Sequence, residues 1–134
     1  MIPSPLAALT YAAIKVVGYA EFARGLNKVA DKHVPPYLFG TAKTALGLIG
    51  GITYVFIVDS VLAPRERSEI ALFLGAAPVR LLVWSLALGF FYGFRERPKL
   101  VCAAVALGTV WSYALDGLMW LIDKNVPGMA MPFC

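Results

Sequence analysis

Charged side chains set inside otherwise apolar stretches are the residues of this chain that could carry chemistry: Lys15, Glu21, Lys43, Asp59, Arg80 and Asp116. A charge at the centre of a helix in lipid costs about 2.5–3.5 kcal/mol on insertion scales, so such groups pair inside a bundle or line a path for ions or protons. Laid side by side as antiparallel helices, the stretches bring Asp59, Arg80 and Asp116 towards one face, with Lys15 a turn or two deeper. Glu21 and Lys43 fall towards the other face. Two readings stay open at this point, structural ion pairs or an ion or proton path through Asp116 and Lys15.

Other chemistries lack their residues. One histidine, His33, stands in a proline-containing loop, so a pair of axial haem ligands is absent from the sequence. Cys102 and Cys134 are distant from each other and with His33 make no convincing metal set. They read as free thiols rather than as a disulfide framework. No Gly-rich phosphate loop follows a strand, and no glycine-flanked serine suggests a nucleophile. No catalytic residue, cofactor or metal is therefore expected. Trp84, Trp111 and Trp120 read as interface anchors and core rather than as a ligand cage.

Asp116 needs an element to place it, and that element is written around it. From Leu100 to Ile122 the chain is apolar, about the length that crosses a hydrocarbon core of about 30 Å. Ala104, Gly108, Ser112 and Asp116 recur at steps of four, so a row of small residues leads along one helix face to the carboxylate. Three further spans are expected, at about 5–23, 41–62 and 78–94, with the fourth at about 100–122. Gly47 and Gly51 form a GxxxG pair, and Ser85, Gly89 and Gly93 form another small-residue row, both read with Gly108 and Ser112 as helix-packing positions.

The connections fit short loops. Ser4-Pro5 reads as a cap and first helical position, and no basic stretch of a secretory signal precedes it. The first segment is the least regular, since Lys15 and Glu21 interrupt it, and an interfacial helix is the competing reading. A loop from Arg24 to Gly40 is expected, because Pro35-Pro36 forbids a continuous helix there. Ile70 to Ala77 is too short to cross and reads as an interfacial helix before the third span, which begins at Pro78. Phe90, Phe91, Tyr92 and Phe94 read as an interface belt. Asp31 to Pro35 and Asp123 to Pro127 are similar in sequence, a weak sign of duplication.

Composition agrees with a membrane class. Of 134 residues, 60% are hydrophobic and 15% charged, against about 45–50% and about 25% in ordinary soluble domains. Mean hydropathy is +0.73. The net charge of +4 resides mainly beside apolar stretches, the pattern of topology signals and lipid-headgroup contacts rather than of nucleic-acid binding. Arg24, Lys28, Lys32, Arg95, Arg97 and Lys99 fall on one side of a four-span arrangement, which places both termini on the outer or lumenal face. The run from Arg67 to Ala76 resembles the segment before a span in permeases of lipoprotein- and peptide-exporting ABC systems, which implies a helix leading into a span.

The expected fold is all-α: one domain, a compact bundle of four transmembrane helices with a short interfacial helix before the third. The expected location is a bacterial or organellar inner membrane. The expected function is a non-catalytic accessory or structural subunit of a larger membrane complex, with a small transporter or channel using the intramembrane charges as the alternative. Expected partners are membrane lipids and other membrane subunits or further copies of the chain, with no nucleic acid.

Overall fold

A computed structural model describes residues 5–61, 71, 74–93 and 95–125, with side chains to Ile122. The regular elements are helices: α1 (Pro5–Ala30), α2 (Pro36–Val61), α3 (Ala77–Tyr92) and α4 (Pro98–Asn125). Proline opens three of them, where its missing N–H costs no helical bond, and Pro78 sits in the first turn of α3. The carbonyls of Pro35, Ala76 and Arg97 accept the first helical bonds of α2, α3 and α4 at 3.0–3.1 Å. α1 ends where Asp31 adopts a positive φ of 51°, and the Lys32 N–H closes back on the Asn27 carbonyl at 3.3 Å. This is a Schellman closure with aspartate in the place usually taken by glycine. α3 ends at Gly93, whose φ of 77° suits a residue without Cβ.

The helices pack in a ring, each against the next and α4 against α1. Glycines decide how closely. A Cβ on Gly40 of α2 would strike the Val16 carbonyl oxygen of α1 and lie 3.2 Å from the Ala20 nitrogen, so the two backbones touch there. On Gly50 it would stand 3.0 Å from Val83 of α3, on Gly18 2.7 Å from Leu115 of α4, and on Gly108 2.5 Å from the Trp84 ring. Inside the ring, Trp84 is fully buried, edge-on to Tyr19 at 5.4 Å and beside Phe22 at 4.8 Å. Phe39 contacts Phe91 and Tyr92 at 5.4 and 6.0 Å. Val101 and Leu88 complete this core.

The outside is apolar. Three helices, α1, α2 and α4, are long and apolar enough to cross a membrane, whereas α3 is shorter at 16 residues. Only 6% of the most apolar stretch of α2 is buried, and Leu48, Ile49, Ile52, Phe56 and Ile57 face outwards.

Several boundaries differ from the sequence reading. The segment Arg24 to Gly40 is mostly helical: α1 continues to Ala30 and α2 begins at Pro36, leaving residues 31–35 as the connection. Charge alone does not break a helix, and Pro36 can start one, so the prolines mark a boundary rather than a long loop. α3 stops at Tyr92, before the expected Phe94, because Gly93 turns the chain. Of the proposed interfacial helix, 70–77, residues 71, 74 and 75 are helical and 70, 72 and 73 lie outside the described residues, as do Ser4, Phe94 and 126–127, while 123–125 are described by backbone alone. The aromatic belt divides. Phe90 is exposed, Phe91 packs on Phe39, and Tyr92 is buried.

A buried ion triad and its aromatic wall

Spacings of four residues build the candidate site. Tyr11, Lys15 and Tyr19 follow one another on α1, Arg80 and Trp84 on α3, and Ser112 and Asp116 on α4, so each helix turns one stripe inwards. On α4 the row Ala104, Gly108, Ser112 and Asp116 is buried throughout. Gly108 lets the Trp84 ring lie against the α4 backbone, and that places the indole N–H above Ser112.

Asp116 is held from two sides. Its Oδ1 meets the Lys15 ammonium and its Oδ2 meets the Arg80 guanidinium. Lys15 is 1% exposed, Arg80 6% and Asp116 8%, so water contributes little to their solvation. One carboxylate thus joins α1, α3 and α4. The Arg80 guanidinium also lies over the Tyr113 ring, 4.2 Å from its centroid.

A second polar layer stands one turn away. Trp84 Nε1 donates to Ser112 Oγ at 2.9 Å, and Ser112 Oγ shares a hydrogen bond with the Tyr19 hydroxyl at 2.9 Å. The Lys15 ammonium donates to the same Tyr19 oxygen at 3.4 Å, which links this layer to the triad. Lys43 of α2 reaches in as well, its ammonium 4.5 Å from the Tyr19 ring centroid and 4.7 Å from that of Trp84. Two aromatic faces give this buried cation quadrupole stabilisation that hydrocarbon would lack. Lys15 has similar aromatic neighbours, Tyr11 at 5.3 Å and Tyr19 at 5.6 Å.

Of the charged residues singled out from sequence, Lys15, Arg80 and Asp116 meet, and Lys43 joins them through the aromatic wall. Glu21 does not. It pairs with Arg24 one turn later at the surface, and Arg24 also donates to the Tyr37 hydroxyl at 3.3 Å. Asp59 is exposed near the far end of α2, about 24 Å along the helix from Lys43.

The packing positions also divide. Gly108 and Ser112 are buried between α3 and α4. Gly47 is open: a Cβ there would meet only the Lys43 ammonium, at 3.8 Å. Gly51, Ser85, Gly89 and Gly93 are partly exposed, and the buried face of α3 is instead Arg80, Val83, Trp84, Ala87, Leu88 and Tyr92.

Two structural contributors are poorly marked in the sequence. Ser112 has the spacing of a small packing residue, yet its hydroxyl joins Trp84 to Tyr19. Asn27 was not singled out. Its side chain exchanges two hydrogen bonds with the Val34 backbone, at 2.8 and 3.3 Å, and accepts from the Tyr92 hydroxyl at 2.7 Å. An asparagine one turn before the end of an apolar helix was the available signal, because an amide there readily serves a turn.

Chemically, the arrangement sets one carboxylate between two basic side chains and ties three helices to one another. Among the described residues no group of histidine, cysteine, aspartate and glutamate could hold a metal ion. Comparison with protein families, with curated proteins and with solved structures finds no match to this chain.

Proposed function

We propose that this chain is a multi-pass integral membrane protein acting as a non-catalytic accessory or structural subunit of a larger membrane complex. The observation that carries this reading is the outward face of α2. Leu48, Ile49, Ile52, Phe56 and Ile57 are exposed there, so a neighbouring helix has a continuous apolar surface to pack against. The ion triad supports the same reading, since both oxygens of Asp116 are engaged within the bundle. Purification in mild detergent tests it. A stoichiometric membrane partner that is lost on Ile52→Trp, a change on the exposed face, is the expected result, and a monodisperse single chain with no partner would overturn it.

A small transporter or channel is the second reading. What favours it is the continuous polar track from Asp116 through Lys15 and Tyr19 to Ser112 and Trp84. Proton- or ion-coupled flux in reconstituted vesicles, abolished by Asp116→Asn in a protein that remains folded, would select it.

A further inference from the structure

Between α1 and α4 the outer surface opens into an apolar groove of about 440 Å³, within the roughly 300–1,000 Å³ range of small-molecule sites. Leu26 and Val29 form one wall and Leu100 and Leu107 the other, with Gly25 and Ala103 leaving the space between them. One end of the groove is closed by Trp111, whose indole N–H donates to the Gly18 carbonyl across the helix pair at 3.0 Å. Glu21, also at that end, is paired with Arg24.

From Leu100 to Trp111 the groove runs about 16 Å along α4, half of a hydrocarbon core of about 30 Å. It therefore has the depth of one leaflet. A transmembrane helix would have to continue past Trp111, whereas a single acyl chain would end there. The open end carries charge. Lys28 directly precedes Val29 and Lys99 directly precedes Leu100, and both lysines are exposed. Lys32, Arg95 and Arg97 lie at the same end of the bundle, against Asp31 and Glu96 as acids, and Lys32 ties the α1 terminus to the Tyr92 carbonyl at 3.5 Å.

We propose that the α1–α4 groove binds an anionic phospholipid, with an acyl chain lying between Gly25 and Ala103 and the phosphate met by Lys28 and Lys99. Apolar walls, leaflet depth and a basic mouth are the features such a lipid requires together. The proposal rests on the membrane reading above, and goes beyond it in naming a lipid and its place.

The test compares protein reconstituted in vesicles of phosphatidylcholine alone with protein in vesicles that also contain phosphatidylglycerol. Retained lipid is counted by native mass spectrometry after gentle release. Gly25→Phe places a ring in the groove from a position where a Cβ meets nothing within 4 Å, and Ala103→Phe fills it from the other helix. Selective retention of phosphatidylglycerol, lost in both Phe variants and weakened about fivefold by each of Lys28→Gln and Lys99→Gln, is the expected result. Retention without preference for phosphatidylglycerol overturns the proposal. So does a preference that survives both Phe variants, which would mark a headgroup contact outside the groove. A cross-linked dimer that the Phe variants abolish, without lipid retention, would give the groove to a second copy and overturn it too. Failure of the wild-type chain to float with either vesicle would remove the membrane reading itself.

Discussion

Replacing Asp116 with asparagine separates a structural pin from a transport group. The carboxylate serves two cations that are almost wholly buried, so the amide leaves Lys15 and Arg80 facing each other without the negative charge they share. Breaking a buried ion pair from one side costs about 3–5 kcal/mol, because an uncompensated charge remains. For a chain of 134 residues this corresponds to a fall of roughly 10–20 °C in Tm, followed in mild detergent. Arg80→Gln should cost less, about 1–3 kcal/mol, since it leaves the neutral pair of Lys15 and Asp116. The double variant should therefore recover part of the Asp116→Asn loss, with a coupling of about 0.5–3 kcal/mol. An Asp116→Asn protein within a degree or two of wild type would refute the reasoning. Were that stable protein also unable to support flux, the carboxylate would belong to a path.

The remaining predictions concern packing, the connection between α1 and α2, and topology. Gly108→Leu should destabilise the bundle by about 1–3 kcal/mol or more, because Trp84 occupies the space and is held by Ser112, whereas Gly47→Leu should stay within about 1 kcal/mol of wild type in the isolated chain. Equal thermal stability of the two variants would contradict this contrast. Asn27→Ala should lower stability by about 1–3 kcal/mol, since the Val34 backbone loses its partner and the Tyr92 hydroxyl keeps only the longer bond to the Ala23 carbonyl at 3.4 Å; unchanged amide exchange at Val34 would count against it. In a background without Cys102 and Cys134, cysteines placed at Lys28 and Arg97 should label from the same side of sealed vesicles, and one placed at Arg67 from the other. Labelling of Lys28 and Arg97 positions from opposite sides would show that α2 and α3 do not both cross.

How far the site could be read from sequence depended on the distance over which its contacts act. The α4 stripe was legible because Ala104, Gly108, Ser112 and Asp116 obey a local period. Lys15 and Arg80 were legible because charges at similar depth along antiparallel helices have a strong reason to meet. Glu21 obeyed that logic too, but Arg24, one turn along the same helix, offered a nearer partner. Lys43 was placed by depth with Glu21, whereas its aromatic neighbours Tyr19 and Trp84 come from distant parts of the chain. The extent of α1 was hidden by its charges, since Arg24 and Lys28 look like a loop yet are good helix formers. GxxxG spacing drew attention to Gly47 and Gly51, while the intramolecular approach of α2 uses Gly40 and Gly50. Which glycine faces which neighbour is a property of the helix pair and not of one helix.

The triad also bears on why the bundle has a single register. On the membrane reading proposed above, the helices would gain little from hiding apolar surface from one another, because lipid tails are as apolar as the helices. Dispersion between smooth Leu- and Ala-rich faces would change little if one helix slid by a turn, about 5.4 Å. Ionic contacts are less tolerant. A slide of that size would take Arg80 away from Asp116, and would take the Trp84 indole off both Gly108 and Ser112. Lys15 fixes α1 to the same carboxylate, and the hydrogen bond between the Tyr19 hydroxyl and Ser112 sets that helix against α4. An apolar replacement of similar volume could be as stable as a buried ion pair, so net stability alone does not explain why charges occupy this position. Their distinct contribution would be to specificity: a one-turn slide parts the carboxylate from its cations, while Gly108 lets the helices come close enough for the bonds to form.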